Sequence, residues 1–478
     1  MIKSITLSII AILIFLSAIG QVKNFSASGQ QITKFDHAGN AVDAHDGMIA
    51  YFNGTYYLYG TSYDCGFEWN NKIAPFCGFK VYSSKDLASW KDEGFLFDAQ
   101  NPVWQTRCDG KTYGCFRPHV VYNRKYGQYV LWINVYDNVI GYRVFTGKSP
   151  LGPFVEVAEP ELATNNNMPA AGLNNGDHDL FVDDDGTAYL ALTDWRAKGS
   201  IVIEQLKDDY LTGTGKITAV ITDGQTEAPA LFKRNGTYYV TYSDPNCGYC
   251  SGTGTSYKSA SSVAGPWSPA RKISDNSCGG QPSFVSTIKL REDTIFLYGS
   301  DLWNNAAKNE ALANFYWAPL SFDPDGSIKP MECLKFFRVT NKNTARNEDS
   351  SKIFKAVCEI KGQDKKVQSF TADRTGKINR FNLTVLKSGY PDAGLIVDFY
   401  DIEGGQHLFL KSYQISTDAI GWSAKNVVLN PGIEIKKNRS YQFVLRTEST
   451  TGCFGYAKQV AGYDSNSAPG VRYSYIIE

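Results

Sequence analysis

The chain has 478 residues, 43% of them hydrophobic and 20% charged, and 48 Lys+Arg balance 48 Asp+Glu to a formal net charge of zero. That length suggests two or three domains, or one large repeat architecture with an appendage, and the composition excludes general disorder. The lack of a basic excess excludes a nucleic-acid or anionic-membrane partner, because such binding needs cations that release counterions.

Tyr (29), Phe (27), Trp (9) and Gly (43) are abundant while Met is scarce (4), a bias that fits short strands and tight turns. An all-β fold is expected. Residues 1–20 carry one early Lys, an apolar run and small residues near Ala18 and Gly20, the layout of a secretory signal peptide cleaved before Gln21. The protein is therefore expected to be secreted, extracellular or periplasmic, and no later segment is long enough to span a bilayer. In an exported chain the ten cysteines are disulfide candidates rather than zinc ligands. Cys65/Cys77, Cys108/Cys115, Cys247/Cys250 and Cys333/Cys358 are the close pairs, the last of which would bridge two parts of the chain.

From about residue 40 to 335 one phrase recurs five times: an apolar strand, a turn and an aromatic-rich strand. It reads MIAYFNGTYYLYGT (48–61), HVVYNRKYGQYVLWINV (119–135), LFVDDDGTAYLALTD (180–194), ALFKRNGTYYVTYSD (230–244) and FVSTIKLREDTIFLYGSD (284–301). Asn-Gly, Tyr-Gly and Asp-Gly at the turns are hairpin signals. A second strand pair, such as FKVYSSKDLASWKDEG (79–94), completes about four strands per unit, one blade of a β-propeller. The reading is a five-bladed β-propeller over 21–337, a polar linker over 338–352, and a jelly-roll-like β-sandwich over 353–478. The sandwich is expected to fold separately and to have a binding or structural role, including a carbohydrate-binding one. A monomer is expected.

Propellers build ligand sites at one mouth of the central channel, so the residues opening each first strand are informative. They read Ala44-His45-Asp46-Gly47, Phe116-Arg117-Pro118-His119, Gly176-Asp177-His178-Asp179, Thr226-Glu227-Ala228-Pro229 and Gly279-Gly280-Gln281-Pro282. Buried acids are costly unless used or paired. Two carboxylic acids across a pocket are the minimum for glycosidic cleavage, one to protonate the departing oxygen and one to activate water or attack the sugar. A third can keep the general acid protonated by like-charge repulsion. Asp46, Asp177 and Glu227 supply three, whereas the triple-Asp run Asp183-Asp184-Asp185 reads as a solvated turn.

This arrangement resembles glycoside hydrolase family 43, whose members are five-bladed propellers that invert configuration at the cleaved sugar. The resemblance implies that Asp46, in AHDGMIAYFNGTYYLYG, is the general base, and that Asp177, in DHDLFVDDDGTAYL, modulates the pKa of the acid. It also implies that Glu227, in TEAPALFKRNGTYYVTYS, is the general acid. AHDG, RPHVVYN and GGQPS are most similar to the branch with exo-acting β-1,3-galactanases. That branch has Gly where Asp46 stands and Glu where Phe116 stands, and it uses a Gln, matched by Gln281, near the attacking water. The implied substrates are galactan, arabinan, arabinogalactan or xylan side chains.

Sugars pack their C–H faces on aromatic platforms. Trp195 and Trp303, with Tyr63 and Trp69, follow inner-strand segments and are expected to line the pocket, as are His45, Arg117, His119, His178 and Gln281. Trp90, Trp132 and Trp267 read as core. No oxygen-ligand loop of the D-x-[DN]-x-[DN]-G type occurs, so no metal or cofactor is required, although the resemblance allows a structural Ca²⁺ in the channel. The alternative reading is a catalytically inactive, lectin-like propeller. Retaining fructan-cleaving enzymes and sialidases share the propeller idea, but their Asn-Asp-Pro-Asn and Ser-x-Asp-x-Gly-x-x-Trp signatures are absent.

Overall fold

The Asn-Gly turns behave as their chemistry dictates. Asn53 and Gly54 have φ of 50° and 76°, and Asn235 and Gly236 have 49° and 79°, the left-handed pair whose twist matches a two-residue hairpin. The structure, a computed structural model, describes residues 21–68, 71–165, 175–245, 252–290, 293–303, 309–339, 353–460 and 470–477. The expected signal peptide, Trp69, the Cys247/Cys250 pair and residues 340–352 lie outside the described residues.

Five antiparallel sheets follow one another, each pairing its strands in chain order. Sheet I begins with His45–Phe52 and Thr55–Thr61, sheet II with Cys115–Asn123 and Gln128–Val135, and sheet III with Asn175–Val182 and Ala188–Asp194. Sheet IV begins with Glu227–Arg234 and Thr237–Ser243, and sheet V with Gln281–Lys289 and Thr294–Leu302. Sheets I to IV have four strands and sheet V has three. The first strands neighbour one another in cyclic order, with that of sheet V returning to that of sheet I.

Apolar side chains fill each gap in the ring. Leu131 and Val81 pack between sheets I and II, Trp132 and Leu190 between II and III, and Ile203 and Val240 between III and IV. Phe232 and Tyr298 pack between IV and V, and Trp90 and Trp317 between V and I. Trp90 and Trp132 are fully buried core residues, as expected, and Trp267 is half-buried against the gap between sheets III and IV. This nearly all-β layout is consistent with a β-propeller followed by a β-sandwich.

The second unit has two facing sheets, one centred on Gly376–Ser388 and the other on Ser440–Thr447 and Leu395–Glu403. Their inner faces share a core that includes Phe381, Leu383, Phe399 and Phe443. The first described residues tie both units together. Gln21–Lys23 pairs with Phe336–Arg338, while Thr33 N–H donates to the Phe354 carbonyl (2.9 Å) and Ala41 N–H to that of Ala424 (2.7 Å). Arg338 is therefore in a strand rather than in the polar linker.

Cys65–Cys77 and Cys108–Cys115 are disulfides, as their spacing suggested. Cys333 and Cys358 do not pair with each other. Cys333 bonds Cys278 within the first unit, and Cys358 bonds Cys453 on the adjacent strand of the second. Among the described residues, the two units are thus held by non-covalent contacts alone.

Candidate active site

Every first strand carries a register break at its start: between His45 and Met48, Phe116 and His119, Asn175 and His178, Glu227 and Ala230, and Pro282 and Phe284. A bulge re-aims side chains at a sheet's end. Asp46, Arg117 and Ala228 occupy equivalent places in these breaks and have φ of 55°, 56° and 54°. Left-handed backbone at non-glycine residues costs about 1–3 kcal/mol each and clusters at functional sites.

The break gathers a buried network. Asp46 Oδ1 accepts from Thr61 Oγ1 (2.8 Å) and from the Arg117 N–H (3.0 Å), and Oδ2 accepts from the Tyr63 phenol (2.8 Å). The Asp46 N–H donates to Asp301 Oδ2 (3.0 Å), which also accepts from the Ser283 hydroxyl. Burial pushes the Asp46 carboxyl up to about 7, against the pull of Arg117 and with a smaller push from Asp301. The Arg117 guanidinium pairs with Asp177 (2.8 Å) and donates to the carbonyls of Pro282 (3.2 Å) and Ser283 (3.0 Å). Glu227 Oε1 accepts from Gln281 Nε2 (2.6 Å), and Gln281 Oε1 accepts from the Trp303 indole (3.1 Å).

These contacts make two groups, Asp46–Arg117–Asp177 and Glu227–Gln281–Trp303, brought side by side where Arg117 reaches the carbonyl of Pro282, next to Gln281. Trp195 leans on Gly176, where a Cβ would collide with its indole nitrogen. Tyr136 was not singled out from sequence, yet its phenol feels the charges of Asp177, Glu227, Arg117 and Asp46 together, and burial pushes its pKa up. Asp43 and Asp301 were missed as well. Asp301 lies one residue before the end of the second strand of its repeat, Asp194 ends its own and Asp244 follows its own, a recurrence visible in LTD, YSD and GSD.

The three histidines are fully buried. Register places His119 and His178 at equivalent positions, but His45 aligns with Phe116 and Glu227, three residues earlier. His45 stacks on Phe315 at 4.8 Å and lies between Asp43 (3.5 Å) and Asp301 (3.6 Å). These separations are ion-pair contacts rather than hydrogen bonds. Burial disfavours its charge, but the two acids outweigh it and raise the imidazole to about 9. His119 Nδ1 faces Asp179 (3.0 Å), and burial drives that pair to its uncharged form, lifting Asp179 to about 7 and depressing His119 to about 3.

A channel Ca²⁺ would take roughly six to eight oxygen ligands. Next to the His119 and His178 imidazoles, the Asp179 carboxylate is already engaged by His119 and the Leu231 N–H (2.8 Å). Among the described residues no group of three or more His, Cys, Asp or Glu is placed to hold a metal. A cavity of about 1030 Å³ is lined by the far ends of the inner strands, including Phe52, Tyr122 and Asp183, and is not this site. The triple-Asp turn lies there, with Asp183 paired to Lys233 (2.6 Å).

The family model of Glycosyl hydrolases family 43 matches residues 40–319. A β-D-galactofuranosidase of Aspergillus niger is 28% identical over 339 residues, spanning 69% of this chain and 94% of that enzyme. An arabinoxylan arabinofuranohydrolase of Bacillus subtilis is 26% identical over 257 residues, 48% of this chain and 50% of that enzyme. The solved exo-β-1,3-galactanase of Phanerochaete chrysosporium superposes with a TM-score of 0.53 at 20% identity, covering 91% of this chain and 98% of that one. The exo-β-1,3-galactanase of Clostridium thermocellum gives 0.54 at 19% identity, covering 94% and 98%. At such identities the structural likeness shows the fold.

The His45 geometry yields a stability test. A folded pKa raised to about 9, against 6.5 for a free imidazole, contributes stability that is complete below pH 6.5 and lost as pH rises through 9. His45→Gln should therefore be most destabilised, relative to wild type, below pH 6.5, and the gap in urea midpoints should narrow towards pH 9.

Proposed function

We propose that this chain, which belongs to glycosyl hydrolases family 43 and is a glycosidase hydrolysing O-glycosyl bonds, is a secreted, inverting enzyme. In this reading each of the five sheets is one propeller blade, Glu227 is the general acid and Asp46 the general base. The observation that carries it is the placement of two buried carboxyls at the starts of the inner strands of sheets I and IV. Relatives named for galactofuranosidase, arabinofuranohydrolase and galactanase activities support a polysaccharide or oligosaccharide substrate of the galactan, arabinan, arabinogalactan or xylan side-chain kind.

The geometry supplies a role for each group. Asp46 Oδ2 accepts the Tyr63 phenol and keeps lone-pair capacity for a water molecule, whose proton it takes as the oxygen attacks the anomeric carbon. A carboxyl near 7 is well matched to proton transfer at neutral pH. Glu227 is anchored by Gln281 through one oxygen, and as the general acid it delivers its proton to the departing oxygen. Arg117 neutralises Asp177 and fixes it beside the site. Gln281 braces the acid and is itself held by Trp303, a fixed pairing that limits its freedom to manage the attacking water. The apolar, signal-peptide-like run within residues 1–20 and the four disulfides among the described residues support export.

Two tests follow from these roles. Glu227→Gln should cut kcat by about 10²–10⁴-fold on substrates with poor leaving groups and far less on an activated aryl glycoside, which needs no proton. Equal, mild losses on both would remove Glu227 from the acid role, whereas no hydrolysis by the wild type on any of these substrates would favour the lectin-like reading. Because the base must be ionised, kcat/KM should fall with acidification below about pH 7, the value set by burial of Asp46. Asp46→Ala should abolish that limb together with most activity, and azide should restore part of it by attacking in place of water. Full activity in Asp46→Ala would assign the water to Gln281 instead.

A further inference from the structure

The phenol that holds Asp46 belongs to a loop gripped by both units. Tyr63 is the second residue after the strand Thr55–Thr61 and lies in the segment 62–68. On one side Asp43 accepts from Ser62 Oγ (2.5 Å), the Tyr63 N–H (2.9 Å) and the Asp64 N–H (3.2 Å). The second unit holds the other side. Asp64 Oδ1 accepts from the Ser423 N–H (2.9 Å) and hydroxyl (2.7 Å), Oδ2 pairs with Lys425, and the Asp64 carbonyl accepts from the Trp422 N–H (3.1 Å).

The Trp422 ring seals this joint. It is buried in one apolar cluster with Tyr63, Phe67 and Trp303, and it covers Gly66 so closely that a Cβ there would stand 2.6 Å from the indole. Asn309, from the first unit, donates to the Trp422 carbonyl (3.0 Å). A buried aromatic packed this way fixes its neighbours as rigidly as a protein interior does.

We infer that residues 421–425 of the C-terminal unit are a positioning element for Tyr63, and through its phenol for Asp46, so that the second unit sets the rate of bond cleavage independently of any sugar it binds. The inference rests on the reading of Asp46 as the base. A hydrogen bond donated to a carboxylate favours its ionised form, so a displaced Tyr63 leaves Asp46 harder to ionise. The other groups facing Asp46 are Arg117, Asp301, Thr61 and Tyr136, with Asp43 and His45 one step behind. All belong to the first unit, so a neutral substitution in the second reaches Asp46 through the Tyr63 loop.

The test uses the full chain and the pH profile of kcat/KM on an aryl glycoside that the wild type cleaves. Tyr63→Phe, Asp64→Ala and Trp422→Leu should each move the acid limb upward by about half a unit to one unit, lowering kcat more than they raise KM. Asp64→Ala should add nothing on top of Tyr63→Phe. Arg446→Met, which breaks a pair with Asp398 inside the second unit, should leave the limb in place. If Asp64→Ala or Trp422→Leu does not fold, Ser423→Ala removes one hydroxyl and should still shift the limb in the same direction. A shift in Tyr63→Phe with none in Asp64→Ala, Trp422→Leu or Ser423→Ala would overturn the positioning role alone. No shift in Tyr63→Phe would overturn the positioning role at its first link, whereas an acid limb that persists unmoved in Asp46→Ala would overturn the assignment of Asp46 as base.

Discussion

Arg117 ties four of the five sheets into one site. It sits on sheet II, its amide donates to Asp46 on sheet I, and its guanidinium pairs with Asp177 on sheet III and reaches two carbonyls on sheet V. Sheet IV joins through Gln281 on Glu227 and through the Leu231 amide on Asp179. A guanidinium suits this place because it remains charged when buried and offers several donors in a fixed plane. Removing it would strand Asp177 without its partner and withdraw the cation that favours Asp46 ionisation, and breaking a buried pair of this kind typically costs about 3–5 kcal/mol.

The site's electrostatics follow from that clustering. Acids buried this closely cannot all be ionised cheaply, so burial lifts Asp46 and Asp179 towards neutrality, whereas Asp43 and Asp301 together hold His45 charged. The ring of apolar seams between sheets offsets the strain of three left-handed residues at the mouth. The stable body of the fold thereby holds a polar, strained rim in a single geometry.

Much of this was legible in the sequence because the signals are local. Asn-Gly and Asp-Gly turns between alternating apolar strands marked the hairpins, and the tetrapeptides opening each first strand contained Asp46, Arg117, Asp177, Glu227 and Gln281. What stayed hidden depends on register or on distant pairing. His45 stands before the bulge of its strand and His119 and His178 after theirs, a distinction that rests on strand pairing rather than on each histidine's nearness to a strand start. The Cys278–Cys333 and Cys358–Cys453 bonds close separations of 55 and 95 residues, so nearness in sequence favoured the wrong partner for Cys333. Asp43, Tyr136 and Trp422 lie outside the strand starts, and their roles come from packing that only the folded chain displays.

The central claim is that Asp46 activates water for a single displacement while Glu227 protonates the leaving group. Proton NMR of the first-formed sugar, recorded before mutarotation, tests it most directly. An inverting site leaves room for water, with its carboxyls roughly 6.5–9.5 Å apart, and must release the anomer opposite to that of the substrate. The account predicts that inverted anomer. A first product with the configuration of the substrate would mean a covalent double displacement, with Asp46 as the nucleophile rather than the base.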